Sequence, residues 1–119
     1  MATERPHILH IDSGAITASS SATDTIDVGT NESYDITELR IISATGVYTL
    51  EITDQSGYNF SNEAFSMPAV GASPNEFNAH KLAPPLIFEK GGKYTLKFTD
   101  TSAAANRVKM LLIGKRILT

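Results

Sequence analysis

Few side chains in this sequence combine the type and the spacing that metal binding or acid–base chemistry requires. His7 and His10 lie three residues apart. On a β-strand that spacing places two side chains on opposite faces, so they do not converge on one metal ion. Asp54 and Asp100 stand in matching Thr-Asp-x-Ser sequences, where an aspartate either joins a carboxylate pair for acid–base chemistry or accepts backbone amide hydrogen bonds in a turn. We interpret both as turn residues and predict no catalytic residue and no metal-ligand set.

Other nucleophile and phosphate-binding patterns are also missing from the sequence. It contains no Cys, which excludes a thiol nucleophile, a thiolate metal site and a disulfide. It contains no Gly-x-Ser-x-Gly sequence of the nucleophile-elbow type. Gly91 and Gly92 lie between two lysines, but no predicted helix follows them to supply the amide array of a phosphate loop, so we predict a hairpin turn. The chain is therefore expected not to be an enzyme and to bind no cofactor.

A repeated segment predicts the fold class. Residues 46–56 read Gly-Val-Tyr-Thr-Leu-Glu-Ile-Thr-Asp-Gln-Ser, and residues 92–102 read Gly-Lys-Tyr-Thr-Leu-Lys-Phe-Thr-Asp-Thr-Ser. Apolar and polar side chains alternate in both, which is typical of strands with one buried face. We predict equivalent strands at 47–53 and 94–99 in an all-β, antiparallel β-sandwich that is jelly-roll-like and folds as a single domain. Six side chains are expected in its core: Tyr48, Leu50, Ile52, Tyr94, Leu96 and Phe98.

Two further segments predict strands with special features. Residues 34–44 alternate, but the phase slips between Ile36 and Leu39, which indicates a bulge or a bend. The segment 107–118 is apolar on both faces, with Leu111 and Ile113 pointing away from the face that carries Met110. Such a strand is either central with its second face covered, or lies at a subunit interface.

The N-terminal third leaves two interpretations open. Residues 1–33 are rich in Ser and Thr and form either an extended N-terminal arm or edge strands, whereas residues 34–119 form the β-sandwich domain. The short apolar run with Ile8, Leu9 and Ile11 is a candidate for pairing with the sheet edge of a neighbouring protein.

The connection from residue 61 to residue 85 is long for a compact domain and is therefore a candidate functional segment. It carries Phe65 and Phe77, and Tyr58 and Phe60 lie just before it. These aromatic side chains either anchor a partner protein, stack against a sugar, or pack the connection onto the sandwich.

The charge distribution narrows the range of partners. The formal net charge is −3, with acidic and basic residues interspersed, and no basic patch is large enough to follow a phosphate backbone, so we predict no nucleic-acid binding. The N-terminal residues lack the apolar stretch of a secretory signal, and no run approaches membrane-spanning length. We therefore expect a protein that is made in a cytoplasm and binds no membrane.

The C-terminal third resembles a known group of proteins. The pattern runs Pro-Leu-Ile-Phe from residue 85, Gly-Lys-Tyr-Thr-Leu from 92, Phe-Thr-Asp-Thr-Ser from 98, Asn-Arg-Val from 106 and Leu-Ile-Gly-Lys-Arg-Ile from 112. It is similar to the ending of short bacteriophage structural proteins, with head decoration or cement proteins the nearest group. The resemblance covers residues 34–118 loosely and is sharpest over 84–118. It implies a β-sandwich or jelly-roll module on the outside of an icosahedral shell.

The resemblance implies a function without chemistry. We expect a capsid decoration or cement protein that resides in the virion, stabilises the head shell and contacts the major capsid protein or other virion proteins. A tail- or fibre-associated module and a carbohydrate-binding β-sandwich are the alternatives, and the chain is also a candidate homo-oligomer. Seven side chains are the candidate partner-binding residues: Ile8, Leu9, Ile11, Phe65, Phe77, Leu111 and Ile113.

Overall fold

The computed structural model describes residues 3–60, 65–67 and 79–118, and every regular element in these ranges is a β-strand. Eight strands follow one another along the chain: β1 (Thr3–Asp12), β2 (Ser21–Asp27), β3 (Glu32–Ala44), β4 (Tyr48–Asp54), β5 (Phe65–Met67), β6 (Ala79–Phe88), β7 (Lys93–Asp100) and β8 (Val108–Leu118).

The strands form two four-stranded sheets. The first sheet has the order β1-β8-β3-β6 and the second has the order β2-β7-β4-β5. All of their pairings are antiparallel. Two four-stranded sheets with these crossovers are the arrangement of an eight-stranded jelly roll. The predicted all-β, antiparallel sandwich is confirmed.

The repeated segments form neighbouring strands at the centre of the second sheet. β4 pairs with β7 over its whole length. Their alternating apolar side chains point at the first sheet, as the period of two predicts. The six expected core side chains are all at most 5 % exposed: Tyr48, Leu50, Ile52, Tyr94, Leu96 and Phe98.

A bulge in β3 adjusts the register of the first sheet. The pairing of β3 with both neighbours shifts between Ile36 and Glu38, so the predicted phase slip is confirmed. Opposite this bulge, β3 approaches β8 closely at Gly114. A Cβ atom on Gly114 would clash with the carbonyl oxygen of Asp35 and lie 2.8 Å from the Cα of Ile36. A side chain at position 114 is therefore incompatible with this register.

Two predicted connections differ from the structure. Residues 79–85, predicted as part of a long connection, belong to β6. The two prolines Pro84 and Pro85 obscured this strand, but β6 is an edge strand, where a missing N–H is tolerated. The predicted hairpin at Gly91 and Gly92 is also wrong. The turn there, closed by Gly92 N–H donating to the Glu89 carbonyl at 3.1 Å, leads from β6 in one sheet to β7 in the other.

The first two strands are the edges of the two sheets on one side of the sandwich. The described part of residues 1–33 contains β1, β2 and the first two residues of β3. Asp24 on β2 joins these edges, because its Oδ2 accepts a hydrogen bond from Asp12 N–H on β1 at 3.1 Å. Its Oδ1 accepts a second one from Thr25 N–H at 2.9 Å.

Candidate interaction surface

The outer face of the first sheet, which points away from the second sheet, carries three neighbouring apolar side chains. Ile8 on β1 pairs with Ile113 on β8, and Leu111 pairs with His10 at the next position on the same face. Ile8 is 58 % exposed, and the other two are half-buried. We call Ile8, Leu111 and Ile113 the outer patch. Grouped exposed apolar side chains of this kind mark interaction sites.

The outer patch follows from the position of β8 in the sheet. Val108, Met110 and Leu112 are fully buried in the core, so the residues between them point outward. Because β8 lies between β1 and β3, its outward side chains sit in the middle of the face. β8 is therefore a central strand with apolar side chains on both faces.

Ion pairs border the outer patch on the β3 side. The bulge in β3 places Glu38 opposite Ile113, and the Glu38 side chain is only 12 % exposed. Its carboxylate binds Arg40 Nη2 at 3.1 Å and Lys81 Nζ at 3.3 Å. These three residues were not among the sequence candidates. The phase slip in β3 was the signal that moved Glu38 to the outer face.

A second ion pair holds the end of β1. Arg107 donates two hydrogen bonds to the carboxylate of Asp12, from Nη2 at 2.8 Å and from Nε at 3.2 Å. The N–H of Gly14 donates a third at 2.9 Å. The hydrogen bonds from Arg107 first, and then that from Gly14, lower the pKa of Asp12 to about 2. The carboxylate thereby fixes the start of the β1–β2 connection to β8.

The other predicted partner-binding residues are distributed differently. Ile11 is 2 % exposed and belongs to the core, and Leu9 is half-buried against it, so of the apolar run in β1 only Ile8 is exposed. Strand alternation explains this, since Leu9 and Ile11 share the inner face. Phe65 lies on β5 opposite Leu50, and Phe77 lies outside the described residues.

A separate groove lies at the β6 edge of the sandwich. It encloses about 220 Å³ and is lined by Tyr58, Phe60, Pro85, Leu86 and Ile87. The Tyr58 side chain is 64 % exposed, with its ring centroid 5.8 Å from that of Phe60. This exposed ring is available for stacking.

The other aromatic side chain of the groove has a structural role. The Phe60 ring packs against the core rings of Phe88 and Tyr94, with centroids at 6.0 and 5.7 Å. A second cavity of about 430 Å³ adjoins the groove through the shared Ile87 and is lined further by Glu32, Ser33, Glu89 and Lys90. The exposed ring of Tyr58 lines the groove, whereas the charged and hydroxyl groups line the adjoining cavity.

Both candidate carboxylates occupy turns. Asp54 accepts hydrogen bonds from the backbone N–H and the hydroxyl of Ser56 at 2.9 and 2.8 Å. Asp100 accepts the same two from Ser102, at 3.1 and 2.5 Å, and a further one from Ser19 N–H at 2.8 Å. These bonds, the serine hydroxyls first, lower the pKa of both carboxyls. The turn interpretation is confirmed.

The two histidines of β1 lie on opposite faces, as predicted. His7 stacks on the ring of Tyr34 with centroids 5.1 Å apart, whereas His10 lies beside Leu111 on the outer face. Within the part of the chain that the structure describes, no group of three His, Cys, Asp or Glu side chains is placed to hold a metal ion. The described residues also include no helix long and apolar enough to span a membrane.

Comparison with known proteins yields similarity of fold only. No family model matches the chain, and no curated protein is significantly similar to it. Among solved structures, a Bacillus endospore appendage pilus protein is 12% identical with a TM-score of 0.49, covering 100% of this chain and 90% of that one. The Drosophila NLP core, a pentamer that binds histones, is 14% identical with a TM-score of 0.44, covering 92% and 96%.

An enzyme is also among the similar structures. The GH26-CBM35 β-(1,4)-mannanase of Podospora anserina is 16% identical with a TM-score of 0.46, covering 90% of this chain but only 27% of that one. At these identities and TM-scores the similarities say nothing about what this chain binds. The comparisons therefore leave the outer patch and the groove as the features from which a function is argued.

Proposed function

We propose that this chain is a structural protein of a bacteriophage particle, and specifically a decoration or cement protein that binds the assembled head shell. The observation that carries the proposal is the outer patch of Ile8, Leu111 and Ile113, which is bordered by ion pairs on the outer face of the first sheet. The C-terminal resemblance to phage structural proteins supports it, since residues 84–118 supply part of β6 and all of β7 and β8.

The patch suits a protein that acts in many copies. Three apolar side chains bury a modest area, so a single contact is weak. A small protein that bridges neighbouring subunits of a shell gains affinity from the effective concentration of its second contact. The ion pairs of Glu38 with Arg40 and Lys81 border the patch and orient the partner rather than supply most of the affinity. The partner is the major capsid protein or another virion protein, and the location is the virion.

The experiment uses particles of the phage whose genome carries this sequence. Mass spectrometry of purified virions should detect the chain. Heads from a phage lacking the gene should bind the purified protein in cosedimentation, and should release their contents at a lower temperature until it is added back. The Ile8→Asp variant should lose binding, because it places a charge in the apolar contact.

A matched control separates the patch from general surface effects. Val47 is 43 % exposed in the turn before β4, away from the outer patch, so Val47→Asp should bind heads as the wild type does. Virions that lack the chain, or heads equally stable without it, would contradict the proposal. Binding to isolated tails instead of heads would favour the tail or fibre alternative.

The groove favours a second candidate function, which is carbohydrate binding. Sugar rings stack on exposed aromatic faces. Tyr58 supplies one in the groove, and carboxylate and hydroxyl groups line the adjoining cavity. Screening the protein against a panel of soluble polysaccharides by affinity electrophoresis would test this. Retardation that Tyr58→Ala abolishes and Val47→Ala preserves supports sugar binding, and no retardation by any polysaccharide argues against it.

A further inference from the structure

Among the described strands none pairs with the outer edge of β1, which is the first strand of its sheet. Ser13 N–H donates to the Val108 carbonyl at 2.9 Å, which shows that the odd-numbered residues of this ladder bond to β8. Because an antiparallel ladder alternates, the N–H and C=O groups of the even-numbered residues point away from β8. The bond from Asp12 N–H to Asp24 Oδ2 at 3.1 Å agrees with this direction.

The open part of this edge is short and has a definite boundary on each side. Pro6 has no N–H to donate, and the N–H of Asp12 is already bonded to Asp24. Between them, Ile8 and His10 present two N–H and two C=O groups to the outside. Ile8 and His10 are both exposed, so solvent or a second strand can reach these groups.

The other long edges are less suited to strand pairing. On β2 the N–H of Thr25 points outward but is bonded to Asp24 Oδ1 at 2.9 Å, and the outward side chains are polar. On β6 the edge is interrupted by Pro84 and Pro85. Among the edges described over seven or more residues, β1 alone combines open backbone groups with an exposed apolar side chain.

We propose that the occupant of this edge is a second copy of the chain, which pairs with it antiparallel about a two-fold axis. Ile8 of each copy lies opposite His10 of the other, and Leu9 faces Leu9 across the axis. In this register every open N–H meets an open C=O, which forms four hydrogen bonds. The two first sheets then continue as one sheet of eight strands.

The alternative symmetric registers each leave one C=O group of this open stretch, in each copy, without an N–H donor. Placing Ile8 opposite Ile8 brings Pro6 opposite His10, where one N–H is missing, and brings Glu4 opposite Asp12, where like charges repel. Placing His10 opposite His10 brings Ile8 opposite Asp12, whose N–H is already taken. The open groups of Ile8 and His10, bounded by Pro6 and Asp12, can all pair with the same groups of an identical strand. This self-complementarity is the reason for proposing a second copy as the partner.

The dimer also unites the two outer patches. Within one chain Ile113 lies beside Ile8, and Leu111 lies beside His10. Across the axis, Ile8 is next to His10 of the second copy. One continuous row therefore contains Ile113 and Ile8 of one copy, followed by His10 and Leu111 of the second copy. Each row thus contains three apolar side chains and one histidine, and the two rows form one area on the face of an eight-stranded sheet. This inference rests on the edge geometry and not on the proposed phage function.

Sedimentation of the full-length chain tests the proposal. The wild type should change from a 12.8 kDa monomer to a dimer between about 1 and about 100 µM, because dimer formation depends on concentration. Ile8→Pro removes an N–H that does not bond to β8 but donates a hydrogen bond across the proposed dimer interface. Because the dimer is symmetric, two of its four hydrogen bonds are lost. The variant should self-associate at least about tenfold more weakly.

The matched control is Thr23→Pro on β2, where the N–H also points away from its neighbouring strand. It should dimerise as the wild type does, with circular dichroism verifying that both proline variants are folded. A wild type that stays monomeric, or an Ile8→Pro variant that dimerises equally well, would overturn the proposal.

A cysteine variant tests the register independently of the proline variants. Residues that face each other at a non-hydrogen-bonded position have Cα atoms about 4.5 Å apart, within disulfide range. Since the chain contains no Cys, Leu9→Cys should form a covalent dimer on mild oxidation, and Thr23→Cys should not. If Leu9→Cys stays unlinked, or links no faster than Thr23→Cys, the proposed pairing is wrong.

Discussion

Glu51 on β4 lies directly opposite Lys97 on β7, and the two residues hold the same position in the two sequence repeats. The repeats therefore pair with each other about a local two-fold axis that passes between these residues. Leu50 and Leu96 are related in the same way, as are Tyr48 and Tyr94. The centre of the second sheet is thus built from two equivalent strands, and this makes matched mutations informative.

Truncating the two equivalent leucines should destabilise the protein to a similar extent. Leu50 and Leu96 are both completely buried, so Leu50→Ala and Leu96→Ala should each lower the free energy of unfolding by about 2–5 kcal/mol, measured in urea. The half-buried Leu111 on the outer face is the control, and Leu111→Ala should cost less. A cost for Leu50→Ala several times that for Leu96→Ala would show that the equivalence does not extend to packing.

Removing the Tyr48 hydroxyl should not destabilise the protein. Among the described residues no group hydrogen bonds to this buried oxygen, and burial raises its pKa. Tyr48→Phe should therefore raise the free energy of unfolding by about 1 kcal/mol. The equivalent Tyr94 hydroxyl accepts a hydrogen bond from Glu89 N–H at 2.8 Å, so Tyr94→Phe should lower it by about the same amount. Equal effects of the two variants would contradict this.

Adding a methyl group at Gly114 should disrupt the first sheet. The Cβ would meet the backbone of Asp35 and Ile36 on the neighbouring strand, and a strand backbone cannot move aside as a flexible side chain can. Gly114→Ala should cost about 1–3 kcal/mol of stability, as overpacking does, and should lower the midpoint of thermal unfolding. Gly29→Ala is the control, because there the nearest atoms belong to the Glu32 side chain at 3.3 Å. Equal costs would contradict the close approach.

The stability should decrease in acid through the ion pair of Asp12. Its pKa falls from 3.8 to about 2 on folding because of the bonds from Arg107 and Gly14. A lowered carboxyl pKa stabilises the fold above the unfolded value, and this contribution is lost as the pH falls from 3.8 towards 2. Unfolding in urea at several pH values should show this loss in the wild type and less of it in Asp12→Asn. Parallel pH profiles for the two proteins would argue against the assignment.

The fold was predictable where the side-chain pattern has one dominant face. In β4 and β7 the alternation around Leu50 and Leu96 identified both the strands and the buried side. The run at Ile8, Leu9 and Ile11 is apolar on both faces, so the sequence does not show which of these side chains point into the core. In the structure Ile11 is in the core and Ile8 is exposed. Residues 79–85 of β6 were missed because Pro84 suggests an interrupted strand, and the edge position explains why a strand forms there.

The site was predictable only in part, for a related reason. Leu111 was identified because β8 is apolar on both faces. Glu38 and its partners Arg40 and Lys81 were not identified, because their proximity depends on how β3 pairs with β8 and β6. The turn at Gly91 was read correctly as a turn, but local sequence does not show which sheet the next strand joins. Pairing partners are non-local, and a single sequence carries little information about them.

The place of β8 between β1 and β3 has a consequence for how the protein is made. β1 is synthesised before the other described strands, yet its only neighbour among them is β8, which is synthesised last of the eight. Until β8 is synthesised, the first sheet consists of the isolated β1 and the pair formed by β3 and β6. The nascent chain therefore cannot complete its sandwich before β8 has been synthesised, and until then its apolar inner face stays accessible to chaperones or to neighbouring nascent chains. Premature stop codons before Val108 should accordingly yield aggregated protein instead of a smaller folded domain.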